Sequence, residues 1–209
     1  YPWSINLFDE EIIEIYQSGG IIGIMMDPRQ LGAYMIKYNN IESLKLCDSC
    51  LSLRDHFDTL VNQDPLIRQA VIDAGVINQV EYFKTEPLLR NIFYIIHLLK
   101  EYQAADEVYH RTGSLNAARK KCKVYFVHEE DACTKYDPWD LLAIGGDFDG
   151  LIDPMDISPT ASYIPYLRSR LELYAYIYAQ LHQKEFKDPV TEAPLITSPQ
   201  EAKMLMEKL

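Results

Sequence analysis

The 209-residue sequence has no long hydrophobic run, since no stretch approaches the roughly 18 apolar residues of a membrane-spanning helix. It is also poor in basic residues, because 20 Lys and Arg stand against 31 Asp and Glu, a formal net charge of -11. Nucleic acids and anionic membranes would repel such a chain, so we expect neither as a partner. No segment reads as a secretory signal, and we therefore expect a cytoplasmic protein. A repeat of fixed period and low-complexity segments are lacking too.

Cysteine is scarce, and its four positions suggest no complete metal site. Cys47 and Cys50 have the spacing of a zinc knuckle or a redox pair, and Cys122 and Cys133 with His128 could complete a ligand set. The second half lacks a tight Cys-x-x-Cys, however. We therefore expect reduced thiols of minor structural importance, which favours a reducing compartment.

The most informative segment is a short apolar run that ends in glycines and acids. Leu141–Ile144 is followed by Gly-Gly-Asp-Phe-Asp-Gly, which includes Asp147, Asp149 and Gly150. Such a run is typical of a buried parallel strand that surfaces at its carboxyl end and presents a carboxylate there. An ordinary strand with an Asp-Gly turn is the alternative.

A second strand of the same kind is predicted near the beginning of the chain. A helix capped by Ser4 or Asn6 should run to about Gln17 and end at Gly19, before the apolar run 20–26. The loop after that strand contains Arg29, which could contact a carboxylate.

The rest of the chain reads as mostly helical. Helices are predicted at 51–61, 64–75, 86–103, 163–182 and from Ser198 to the last residue, Leu209. His97 falls inside the apolar third helix, where we expect a core histidine with satisfied hydrogen bonds. Two strands cannot hide both faces of a parallel sheet. We therefore expect the chain to be part of a larger α/β structure that extends beyond Tyr1 and Leu209.

Segments 6–12, 19–24 and 144–150 carry a resemblance to a known family. They resemble the carboxyl-terminal part of the membrane dipeptidase (renal dipeptidase) family, in the superfamily of metal-dependent amidohydrolases. The resemblance covers residues 1–36 and 86–209. It implies that 1–209 is the carboxyl-terminal portion of a (β/α)8 TIM barrel. Residues 38–136 would then form a mainly helical insertion between the last two barrel strands.

The resemblance also implies a chemistry. Family members hold two zinc ions bridged by a water or hydroxide that attacks the carbonyl of a dipeptide, and Asp147 matches the aspartate that shuttles the proton. Asp149 and Gly150 belong to the same loop at the substrate, and nothing in the family pattern assigns Arg29. The family's metal ligands would all lie upstream of Tyr1, so the chain itself should contain none. The oligomeric state is left open, and a homo-oligomer is compatible with the sequence.

Two other functions remain open at this point. A barrel-derived binding or structural protein could use the helical insertion and the tyrosine-rich helix as a partner surface. A calcium loop built on Asp147, Asp149, Asp153 and Asp156 is disfavoured, because the spacing departs from the twelve-residue pattern of such loops.

Overall fold

The computed structural model describes residues 7–26, 79–122, 136–145 and 161–209, with isolated helical positions at 59, 61–63, 65 and 68–69. This part of the chain is mostly helical and contains two parallel strands. Its helices are α1 (Asp9–Gln17), α2 (Gln79–Thr112), α3 (Leu115–Ala118), α4 (Ile164–Leu181) and α5 (Pro199–Met206). The strands are β1 (Ile22–Met25) and β2 (Leu142–Gly145), and 3-10 helices span Pro138–Leu141 and Ala161–Tyr163.

The first helix and strand follow the predicted order with shorter bounds. Helix α1 begins at Asp9, and the Glu11 carboxylate accepts a hydrogen bond from the backbone N–H of Phe8 (2.7 Å), the residue at the N-cap. The predicted caps Ser4 and Asn6 lie outside the described residues. Gly19 ends the helix with a φ of 70°, a left-handed conformation that glycine adopts without steric cost.

Helix α2 is longer than the sequence predicts. Glu86 and Pro87 were expected to begin a helix, but α2 spans 34 residues and contains Pro87 in its interior. The prediction was wrong because it used local propensity alone, in which an internal proline costs about 3 kcal/mol. Burial on both sides of Pro87 outweighs this cost, since Tyr82, Thr85 and Leu88 are almost completely buried. The described part of the predicted 38–136 insertion is thus helical, while its place within a barrel stays a prediction.

The hydrophobic core lies where α2 meets α4 and the segment that follows α4. Phe93 of α2 is fully buried and makes edge-to-face contacts with Tyr178 (ring centroids 4.9 Å apart), Trp139 (6.2 Å) and Phe186 (6.3 Å). The sequence predicted that the helix at 86–103, now part of α2, is buried. Its apolar residues all have 8% or less of their surface exposed: Leu88, Leu89, Ile92, Phe93, Ile95, Ile96 and Leu99. That prediction is confirmed.

The carboxyl-terminal helices agree closely, but not completely, with the helices predicted from the sequence. Helix α4 lies within the predicted 163–182, and Ser198 caps α5 by accepting a hydrogen bond from the backbone N–H of Glu201 (3.1 Å). The Glu201 carboxylate in turn accepts hydrogen bonds from the backbone N–H and the hydroxyl of Thr197 (both 2.7 Å). Helix α5 was expected to continue to Leu209 but ends at Met206. No helix of the described ranges combines the length and apolar character needed to cross a bilayer.

Candidate functional site at the carboxyl edge of the strand pair

The two strands end together at one edge of the sheet. They pair in parallel, with Ile22 opposite Leu142 and Met25 opposite Gly145. One further hydrogen bond extends the ladder, from the backbone N–H of Met26 to the carbonyl oxygen of Gly145 (3.1 Å). Carboxyl ends of adjacent parallel strands are where α/β proteins usually build their sites. The loops that carry the predicted site residues therefore start from the same edge.

The predicted site residues themselves lie outside the described residues. Arg29 follows Met26 by three positions, and Asp147 follows Gly145 by two, with Asp149 and Gly150 just beyond. Their roles stay predictions. What the structure describes is the framework that holds the strands from which these loops depart.

Three hydrogen-bonded residues, Tyr16, Gln103 and Tyr136, form a hub that connects the segments before β1 and β2 to the long helix α2. The Tyr16 hydroxyl, at the end of α1, donates to the backbone carbonyl of Tyr136 (2.8 Å). The Gln103 amide of α2 donates both to the Tyr16 hydroxyl (2.7 Å) and to the same Tyr136 carbonyl (3.0 Å). Tyr16 itself is fully buried. Because Tyr136 precedes the turn into β2, this hub fixes the entry to β2 relative to α1 and α2.

Ion pairs between Lys208 and two aspartates, here called the charged clamp, hold the 3-10 helix Pro138–Leu141, which leads into β2. The Lys208 ammonium donates to the carboxylates of Asp137 (2.6 Å) and Asp140 (2.8 Å), and Asp137 also caps the turn by accepting from the Trp139 N–H (3.1 Å). These hydrogen bonds raise the pKa of Lys208 above its ordinary value. Trp139 is buried against Phe93. The strand that leads to Asp147 is thus anchored at its amino end by both a packed ring and a charged clamp.

The described residues do not fit a zinc site. The three histidines of the described ranges lie on helices or at a helix end, and each one already faces a carboxylate. His97 faces Glu101, His110 faces Asp106 and His182 faces Glu185. Within the described ranges, no group of three or more His, Cys, Asp or Glu side chains is arranged to hold a metal ion. The prediction that His97 is a core residue with satisfied hydrogen bonds is confirmed, since its Nδ1 lies 2.9 Å from the carbonyl oxygen of Lys187.

Sequence reasoning missed a cluster of titratable residues between α2 and the end of α4. Burial raises the pKa of Glu86 above its usual range, with Arg90 opposing and Glu185 reinforcing the shift. Burial also raises the pKa of the Tyr178 hydroxyl, and Glu86 adds to this effect. His182 stacks on Tyr178 with ring centroids 4.2 Å apart, and burial lowers the pKa of His182. The four-residue spacings of Glu86 and Arg90, and of Tyr178 and His182, were the available signal.

Comparison of the chain with protein-family models, with curated proteins and with solved structures found no match in any of the three.

Proposed function

We propose that the chain supplies two adjacent strands of a (β/α)8-barrel hydrolase of the dipeptidase type, in which Asp147 moves a proton during cleavage of a small peptide. The observation that carries the proposal is the parallel register of β1 and β2, with Met25 opposite Gly145. It supports a shared edge from which the loops with Arg29 and Asp147 begin.

The connection between the strands also supports this architecture. Ile22 and Leu142 are direct partners although 119 residues separate them, and the described part of that connection is helical. Parallel neighbours require a crossover connection, which is usually helical. An adjacent parallel pair followed by helices is what the last step of a (β/α)8 barrel requires. The open outer edges of the pair would then be occupied by further barrel strands.

In the proposed reaction, the Asp147 carboxylate acts as general base and then as general acid. It accepts a proton from the water that attacks the peptide carbonyl, and it returns that proton to the leaving amine nitrogen when the carbon–nitrogen bond breaks. Arg29 could pair with the substrate carboxylate through its guanidinium group. The two zinc ions that the resemblance implies find no ligands among the described residues.

The first test measures zinc content and dipeptide hydrolysis for the 209-residue chain and, both as wild type and as Asp147→Asn, for the full-length barrel product that the proposal implies. We expect the substitution to lower turnover by about 10² to 10⁴-fold, the usual contribution of a positioned proton-transfer group, with metal content and fold retained. Glu107→Gln, which changes an exposed carboxylate on α2, is the matched control and should keep wild-type turnover. Unchanged turnover in Asp147→Asn would remove the proton-transfer role.

The same assay separates the enzyme from the alternative, a barrel-derived binding or structural protein. A full-length product that binds no zinc and cleaves no dipeptide would favour the alternative, whereas the 209-residue chain by itself is expected to do neither. The tyrosine-rich helix α4 exposes few tyrosines that a partner could contact, because Tyr174, Tyr176 and Tyr178 are buried in the core. Tyr163 and Tyr166, at the beginning of the helix, remain exposed.

A further inference from the structure

The strand pair has one face on the core and one open face. Ile22 and Ile24 of β1 have 6% of their surface exposed and belong to the core, whereas Gly23 between them is exposed. Successive residues of a strand point to opposite faces of its sheet. Met25, the last residue of β1, therefore lies on the open face together with Gly23.

The described residues leave room over the open face at the carboxyl edge of the sheet. A Cβ atom at Gly23 would have none of their atoms within 4 Å. One at Gly145, the partner of Met25, would meet the backbone of β1 first, with the Ile24 carbonyl oxygen 3.6 Å away. Glycine within a strand often marks a place where a ligand or another backbone approaches closely. A small ligand can therefore reach the sheet where its two strands end.

The register of the strands determines which loop residues come next to each other. Met25 lies opposite Gly145, and these are the last described partners of the ladder. Asp27 and Asp147 follow them by two positions each and lie outside the described residues. Because residues two apart in a strand share a face, this register makes Asp27 and Asp147 the next pair on the open face. Pro28 favours this continuation, since a residue that precedes proline is restricted to extended conformations.

A carboxylate beside Asp147 gives the proposed site a group that can bind the substrate. Adjacent parallel strands are about 4.8 Å apart, so the two aspartates would be immediate neighbours. We propose that the Asp27 carboxylate binds the protonated α-amino group of a small peptide while Asp147 transfers the proton, an assignment that rests on the function proposed above. The site would then select peptides that have a free amino terminus.

The charges of the loop after β1 fit the two ends of such a peptide. A dipeptide has an ammonium group at one end and a carboxylate at the other, and Arg29 is proposed above to pair with that carboxylate. Asp27 and Arg29 are two positions apart, at most about 7 Å along an extended chain, and a dipeptide spans the same two residues. An ammonium group beside Asp27 and Asp147 would also offset the repulsion between neighbouring carboxylates.

The test compares a glycyl amino acid with the corresponding acetyl amino acid as substrates of the full-length product. The acetyl compound lacks only the α-amino group and keeps the same amide bond and the same carboxylate. We expect Asp27→Asn to lower kcat/KM for the glycyl compound by about 10 to 100-fold, mainly through a higher KM, because a hydrogen bond between charged groups is lost. Hydrolysis of the acetyl compound should be nearly unchanged.

Glu10→Gln is the matched control, because it also neutralises one carboxylate, in this case an exposed one in the first turn of α1. This variant should keep the wild-type kinetics for both compounds. Equal losses for the two compounds in Asp27→Asn, or no loss for either, would overturn the role of Asp27, while the hydrolysis itself would still support the function proposed above. A wild type that hydrolyses no dipeptide would overturn both proposals.

The wild type provides a second test that needs no variant. We expect it to prefer the glycyl compound by at least about tenfold in kcat/KM, and equal values for the two compounds would exclude recognition of the amino group. The zinc content of Asp27→Asn separates substrate binding from metal binding. It should equal that of the wild type, and a loss of zinc would assign Asp27 to the metal and overturn the proposal.

Discussion

The helical core and the strand pair differ in how completely their residues are packed. Around Phe93, side chains from α2, α4 and the following turn are nearly all buried, and aromatic rings meet edge to face. In β2, only Leu142 is fully buried, while Ala143, Ile144 and Gly145 remain half-buried. A two-stranded sheet is marginal by itself and depends on elements that cover it. We therefore expect the helices to contribute most of the stability, whereas the strand pair depends on a few core residues (Ile22, Ile24 and Leu142) and on the contacts that hold its amino ends.

Phe93→Ala is the substitution for which we expect the largest loss of stability. Removing a fully buried ring with three aromatic neighbours should lower the free energy of unfolding by about 3 to 5 kcal/mol. The matched change in the sheet, Ile144→Ala, should cost about 1 to 2 kcal/mol, because this side chain is only partly buried. Urea denaturation of both variants measures the difference. Equal losses would contradict the view that the helical core provides most of the stability.

Tyr16→Phe tests the connection between the two regions. The substitution removes a hydroxyl that donates to the Tyr136 carbonyl and accepts from Gln103. We expect a loss of about 0.5 to 1.5 kcal/mol in unfolding free energy, since the buried hydroxyl makes two hydrogen bonds while Gln103 can still donate to the Tyr136 carbonyl in the variant. Hydrogen exchange should increase more in β2 than in α4. An effect confined to the helices would mean that this hub does not support the strands.

The pH dependence of the ion pair between Asp188 and Lys100 gives a smaller effect. Because the pKa of Asp188 is lowered to about 2 in the folded protein, its contribution is present above the ordinary pKa of an aspartate and is lost as pH falls towards 2. In Asp188→Asn, stability near neutral pH should drop by less than about 1 kcal/mol, since the pair is partly exposed to solvent. Thermal unfolding between about pH 2 and pH 7 should depend less on pH in the variant. A variant that follows the wild-type pH profile would exclude this contribution.

Tyr178→Phe should change the free energy of unfolding least, and the change should be zero or stabilising. The Tyr178 hydroxyl is fully buried, and none of the described residues forms a hydrogen bond with it. Replacing it with hydrogen removes an unsatisfied polar group while the ring keeps its contacts with Phe93 and His182. We expect unfolding free energy to stay equal or to rise by up to about 1 kcal/mol. A loss above about 1 kcal/mol would mean that the hydroxyl does have a partner, such as an ordered water.

Local signals were sufficient wherever one residue type imposes the conformation. Gly19 ends α1 because the chain turns there with a positive φ, and Ser198 begins α5 because its hydroxyl accepts from the Glu201 N–H. The apolar runs of β1 and β2 were recognisable because buried parallel strands show little alternation. The proposed catalytic role of Asp147 came from its position after β2 and from a family resemblance, and it stays a prediction.

The sequence by itself predicted α1, α4, α5 and the middle of α2, the places of the two strands and the core position of His97, because these features depend on local chemistry and periodicity. Only the tertiary structure decided that α2 continues through Pro87, since burial of the flanking residues outweighs the local cost of proline. It also decided the parallel register of β1 and β2 and the contact of His97 with the Lys187 carbonyl. These depend on residues about 90 to 120 positions apart, and their pairing is specified by packing in three dimensions rather than by sequence spacing.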